Sequence, residues 1–268
     1  MMHPRMIQTI MSNDGLFATA LIKVERLKVV DSTNEELKRR IAVINLERPI
    51  VIAAEEQTAG RGRRGRTWLN SNGAVLMSIA VPLDGIMPEC FPLVNHAAAV
   101  AVSRVLRELG ADTRIKWPND ILIGEAKVCG ILSDLVFDRK NFPCAIIGIG
   151  INANADSMPD GLMYPAVSLK LVLGHEVDVN YLIETIGNRV FSCVQMFKEG
   201  NARELLNDYA VECSTIGREI TVVPCTGDEW SGFAVEIADD GRLMVRDDQG
   251  VMHMIDAADV SVRRDNSK

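Results

Sequence analysis

Gly60-Arg61-Gly62-Arg63-Arg64-Gly65-Arg66-Thr67-Trp68 follows the hydrophobic run Ile50-Val51-Ile52-Ala53-Ala54. Glycines let successive backbone N–H groups approach one anion, and arginines add charged forks that match phosphate or carboxylate oxygens. Two familiar patterns overlap here. Gly60-x-Gly62-x-x-Gly65 has the spacing of a dinucleotide fingerprint, with Asp84 about 20 residues on. Gly60-x-x-x-x-Gly65-Arg66-Thr67 has the spacing of a phosphate-binding loop with Arg in place of Lys. Both require a helix to start at the last glycine. The chain instead continues into turn chemistry, Leu69-Asn70-Ser71-Asn72-Gly73, and a strand-like run, Ala74 to Val81. Strand, loop and strand without a helix sets both patterns aside and leaves an anion-binding loop between two strands.

Working outward, 268 residues suffice for one or two domains, and the hydrophobic (47%) and charged (24%) fractions are those of a globular chain. A net charge of −7 argues against general nucleic-acid affinity, so the loop reads as a small-ligand site. Six cysteines without a CxxC pair and four scattered histidines give no zinc pattern; reduced thiols and a cytoplasmic location are expected. No apolar run is long enough for a membrane span, and Met6–Met11 is too short for a signal peptide. Residues 1 to 20 read as weakly ordered.

Upstream, Leu21 to Val30 reads as a strand. Ser32-x-x-Glu35 and Thr33-x-x-Glu36 have capping-box spacing for a helix to about Val43. Downstream, Cys90 to Leu109 is helical in period. Pro118-Asn119-Asp120 is a turn between Arg114–Trp117 and Ile121–Ile123, and on generic grounds its Asp is solvated. Lys127, at the entrance of the run Val128–Leu132, reads generically as a surface lysine. The run Ala145–Asn152 carries Gly148 and Gly150, which calls for a passing ligand or a tightly packed element. Asn180–Lys198 and Ala202–Val211 read as helices. After Cys213, turn signals every 8–12 residues indicate a small all-β unit of about 50 residues.

Ser32-Thr33-Asn34, Gln57-x-x-Gly60-Arg61-Gly62-Arg63-Arg64-Gly65-Arg66-x-Trp68, Lys116-Trp117-Pro118-Asn119-Asp120, Lys127-x-x-Gly130-Ile131-Leu132 and Gly148-x-Gly150-Ile151-Asn152 occur in that order. Together they resemble biotin protein ligases over residues 20 to 265. The resemblance implies an α/β (α+β) catalytic domain, 1–213, with a class II aminoacyl-tRNA synthetase-like mixed sheet. A C-terminal SH3-like barrel, 214–268, follows. It implies activation of biotin by ATP to biotinyl-adenylate and transfer to a lysine of a biotin carboxyl carrier protein. Only 31 residues precede Ser32, so no winged helix and no DNA partner are expected; a homodimer is compatible. A ligase for lipoate and a non-catalytic RNA- or phosphopeptide-binding protein are the rival readings.

By the same resemblance, Ser32, Thr33, Asn34, Gln57, Gly60, Arg61, Arg63, Lys127 and Gly130 meet biotin. Arg63, Arg64, Arg66, Trp68, Lys116, Asn119, Lys127 and Asn152 meet ATP or the adenylate. Lys127, Arg63 and Asp120 carry the chemistry, with Asp120 either holding Mg²⁺ or accepting the proton of the carrier lysine. Ordering Gly60–Gly65 costs roughly 1–2 kcal/mol per residue, so a loop of mutually repelling arginines is expected to close only around an anion.

Overall fold

The computed structural model describes residues 22–86, 90–162, 164–224, 226–256 and 258–262. The expectations for residues 1 to 20, including the Met6–Met11 stretch, lie outside them, as do Cys225 and Arg263.

Seven strands form one sheet: β1 (Val24–Val30), β2 (Ile50–Gln57), β3 (Val75–Pro82), β4 (Thr113–Lys116), β5 (Asp120–Ile123), β6 (Ala126–Phe137) and β7 (Pro143–Ile151). Their order is β1-β2-β3-β7-β6-β5-β4, with β1–β2 parallel and every other pair antiparallel. Seven of the eight residues of β3 and six of the nine of β7 are buried, and both faces of these strands are covered. Helix α1 (Thr33–Ile41) lays Leu37 and Ile41 on Ile52, Ala80 and Ile146. On the other face α2 (Phe91–Glu108) and α4 (Val179–Lys198) pack against Val51, Ile79 and Ile147. Alternation along each strand thus feeds two cores. Short α3 (Leu169–Leu173) precedes α4, and α5 (Ala202–Glu212) follows it.

The last strands, β8 (Glu219–Pro224), β9 (Trp230–Ile237), β10 (Leu243–Asp247), β11 (Met252–Ile255) and β12 (Ala258–Val262), form an antiparallel sheet in the order β11-β10-β9-β8-β12. It is tied to the main sheet through the turn after β4. Trp117 is 2% exposed; its N–H donates to Thr215 Oγ1 (3.0 Å) and its indole Nε1 to the Gly241 carbonyl (3.3 Å). Behind the same turn, Asn95 Nδ2 and Tyr209 Oη both donate to the Pro118 carbonyl.

The helix after Ser32 forms, but the capping box does not. Ser32 sits at the N-cap without a side-chain cap bond. The Thr33 hydroxyl is drawn to Gln57 instead, and the first-turn glutamates pair with Lys38, Arg39, Arg40 and Arg61. Tertiary partners outcompete the local bonds that spacing alone suggests. The five described cysteines are free thiols.

Candidate functional site

Register places two bare strips side by side on the α1 face of the sheet. Leu76, Gly150, Gly130 and Asp120 lie opposite one another across β3, β7, β6 and β5. One row over, Ile52, Ser78, Gly148 and Leu132 do the same. Residues directly opposite share a face, so the glycines leave a shallow floor with Asp120 at one end and Ser78 near the other. Side chains fill what the glycines leave open. A Cβ at Gly148 would overlap Asn34, and one at Gly150 would overlap the Trp68 indole. A Cβ on Gly130 would come within 2.9 Å of both Lys127 and Trp68. Tight packing of neighbouring elements therefore accounts for these glycines, and the neighbours are themselves residues that line the cleft.

That cleft has a cavity volume of about 430 Å³. Its apolar lining includes Trp68, Met77, Trp117, Ile131 and Ile149; its polar groups gather at two ends. At the α1 end, Gln57 Oε1 accepts from Thr33 N (2.8 Å) and from Thr33 Oγ1 (3.1 Å). Ser78 Oγ lies 2.6 Å from Thr33 Oγ1 and 2.5 Å from Asn34 Oδ1, sharing one proton between them. Asn34 Nδ2 donates to Asp134 Oδ2 (3.0 Å), so the amide is held from both sides. Just before this cluster, hydrogen bonds from Arg39 and from the Ser32 N–H hold the Asp31 carboxyl far below the usual carboxylate range.

At the other end, Lys127 Nζ is 2.7 Å from Asp120 Oδ1 and 5.5 Å from the centre of the Trp68 ring. Both partners are less exposed than their sequence positions suggest: their side chains are 28% and 21% exposed. Arg63 Nη1 donates to Asn119 Oδ1 (3.3 Å), and Asn119 Nδ2 to the Ile131 carbonyl. Lys116 Nζ stands 4.6 Å over the Tyr164 ring. Asn152 is buried and bonds back to the Lys127 carbonyl.

The loop over the cleft is a short 3₁₀ turn, Arg63–Gly65, closed by Gly62 N to Arg66 O and Trp68 N to Gly60 O. No α-helix follows it. The premise that its arginines lack partners fails. Arg61 pairs with Glu35 at 2.9 Å, Arg63 meets Asn119, Arg64 Nη2 reaches the Val223 carbonyl at 2.8 Å, and Arg66 Nε reaches the Arg63 carbonyl.

Ser32, Thr33, Asn34, Gln57, Arg61, Arg63, Arg66, Trp68, Lys116, Asn119, Asp120, Lys127, Gly130 and Asn152 all line the cleft. Gly60 and Arg64 do not: Gly60 is buried against Trp68, and the Arg64 guanidinium turns to β8. Sequence reasoning missed Ser78, Asp134, Glu35 and Tyr164. Ser78 left a signal, as the one polar residue in the run Val75–Val81.

The pattern described as the Biotin/lipoate A/B protein ligase family matches residues 27–152. That described as the Biotin protein ligase C terminal domain matches 215–263. Among curated relatives, Biotin--[acetyl-CoA-carboxylase] ligase of Mycobacterium tuberculosis is 31% identical over 235 residues, 85% of each chain. Bifunctional ligase/repressor BirA of Bacillus subtilis is 31% identical over 233 residues, 84% of this chain and 70% of that one. The solved biotin protein ligase of Aquifex aeolicus in complex with biotin and ATP superposes with a TM-score of 0.77 at 27% identity, covering 90% of this chain and 98% of that one. The chain belongs to the biotin protein ligase family.

Proposed function

We propose that the chain is an ATP-dependent biotin ligase. It joins biotin to AMP with release of pyrophosphate and then passes the biotinyl group to a lysine of a biotin carboxyl carrier domain. One observation carries the reading. A single apolar cleft holds a neutral hydrogen-bonding cluster, Thr33–Gln57–Ser78–Asn34, at one end and the cations Lys127, Arg63 and Lys116 at the other. A cyclic urea on an aliphatic carboxylate fits that polarity, with its ring at the neutral end and its carboxylate among the cations. The dithiolane of lipoate has no urea to satisfy the neutral cluster, and buried polar groups left unpaired are costly.

In the first step the biotin carboxylate oxygen bonds to the α-phosphorus, and the bond to the bridging oxygen breaks with pyrophosphate leaving. The two reactants are both anions. Lys127 and Arg63 offset that repulsion and the charge developing on the phosphoryl oxygens, which is the largest help a protein can give here. In the second step the carrier amine attacks the acyl carbon and AMP departs.

Among the described residues no group of three or more His, Cys, Asp or Glu is placed to hold a metal ion. Asp120 is the acidic side chain lining the cleft and supplies one hard oxygen donor. This suits Mg²⁺ carried chiefly by the triphosphate, where it would neutralise phosphate charge. Residues 1–213 form the catalytic unit in this reading and 214–268 its C-terminal partner. No described helix is long and apolar enough to cross a membrane.

Pyrophosphate release measured with ATP and biotin, against ATP and lipoate, tests the reading. Release with biotin alone is expected; equal release with both acids contradicts the assignment of the neutral cluster.

A further inference from the structure

The C-terminal sheet touches both walls of the cleft, in unlike ways. On one side the C-terminal unit is tied to the turn after β4, where Trp117 lines the cleft, through buried bonds from Trp117 Nε1 to Gly241 O in the β9–β10 turn and from Trp117 N to Thr215 Oγ1 in the segment leading into β8. It grips the covering loop through an exposed one, Arg64 Nη2 to Val223 O at 2.8 Å. Two features set Arg64 apart from the other loop arginines. Its side chain does not line the cavity, whereas Arg61, Arg63 and Arg66 do. Its backbone is left-handed (φ 55°, ψ 37°), a conformation that disfavours any residue with a Cβ. A left-handed Arg beside Gly65, itself at φ 72°, turns the guanidinium away from the cavity and toward β8. Val223 lies in β8 beyond the last β8–β9 pair, Val222–Trp230, where the strand continues only against β12 as Val223–Asp259, so the bond from Arg64 joins the loop to a strand held on its other side by the C-terminal sheet.

We propose that Arg64 is a positioning residue that clasps the covering loop to strand β8, so that retention of the acyl-adenylate depends on the C-terminal sheet. The clasp acts through the loop and touches no substrate. Trp68 and Arg63 lie in the same loop, so holding Arg64 holds both over the floor. The exposed bond is the one that can break and reform as ligand enters and leaves, while the buried Trp117 bonds stay fixed. This inference rests on the ligase reading for the identity of the ligand, but not for the existence of the clasp.

The test compares the full chain with Arg64→Ala, Arg64→Gly and Arg64→Lys, using amide exchange read by mass spectrometry. Without any ligand, the Ala and Gly variants should exchange faster both in the loop (58–68) and in β8 (219–224), with Lys close to the parent. That arm is independent of the chemistry. In the second arm each protein is charged with biotin and ATP, and adenylate release is timed. Ala and Gly should release roughly two- to tenfold faster, the weight of one net hydrogen bond, with Lys partly restoring retention. Gly is informative because it relieves the left-handed backbone while losing the clasp. A Gly variant that matches the parent in both arms makes Arg64 a backbone feature and overturns the proposal. Unchanged β8 exchange in the Ala variant, with a raised KM for ATP, makes Arg64 a phosphate ligand and overturns it too. If the parent releases no pyrophosphate, the ligase reading fails, and the unliganded exchange still decides the clasp.

Discussion

Lys127 Nζ and Asp120 Oδ1 lie 2.7 Å apart across the β5–β6 hairpin, a cation and an anion at the end of the cleft's glycine floor. The pair is partly exposed, so it contributes little to stability, on the order of 0–1 kcal/mol. Its value is placement: Asp120 holds the ammonium beside Trp68, where the proposed reaction needs it.

Lys127→Ala should therefore fold normally and lose roughly 10²–10³-fold in the rate of pyrophosphate release, the scale of removing one charge-stabilising donor. Thermal melts and a pyrophosphate assay check both halves. Near-parental release by a well-folded variant removes Lys127 from the chemistry.

Asp120→Asn separates the two roles that the sequence leaves open. If its contact with Lys127 makes Asp120 one of the groups that handle phosphate, the variant slows adenylate formation and needs more Mg²⁺ for half-maximal rate. A defect confined to transfer from preformed adenylate to the carrier would make Asp120 the proton acceptor instead.

Gly150→Ala puts a methyl group into the Trp68 indole. Overpacking of this kind costs about 1–3 kcal/mol, here charged to loop closure rather than to the strand. Biotin affinity by calorimetry should fall about tenfold or more while the melting temperature changes little. Unchanged affinity would mean that Trp68 does not need to lie on the floor.

Much of this arrangement is readable in the sequence, and the failures have physical causes. The α2 period, the loop without a following helix and the texture change after Cys213 depend on local spacing, and all reappear in the structure. The floor does not depend on local spacing. Gly130, Gly148 and Gly150 face Trp68, Lys127 and Asn34 only because β6 and β7 pair in one register. Ser78 becomes part of the site only because α1 lies over β3. The capping box failed for the same reason: Gln57, 24 residues on, is a better partner for the Thr33 hydroxyl than its own helix. The arginine partners Glu35, Asn119 and Val223 are likewise invisible until the chain has folded.

His96 gives a pH prediction. It is 3% exposed on α2, lies in an edge contact with the Tyr209 ring (centroids 4.3 Å apart), and its Nδ1 donates to the Pro92 carbonyl. Burial pushes its pKa down from 6.5 to about 4. A group depressed on folding leaves stability intact above its unfolded pKa and removes it as pH falls toward the folded one. Stability should drop by about 3 kcal/mol between pH 6.5 and 4 on this account. Urea midpoints across that window should fall less steeply in His96→Gln; parallel slopes would show that His96 already titrates normally.

The most direct measurement combines the protein with biotin, ATP, Mg²⁺ and a biotin carboxyl carrier domain, and reads the carrier by intact mass. One biotinyl group on one lysine, with one pyrophosphate released per group added, is the predicted result. An unmodified carrier, when an authenticated biotin ligase modifies the same preparation, would contradict the account.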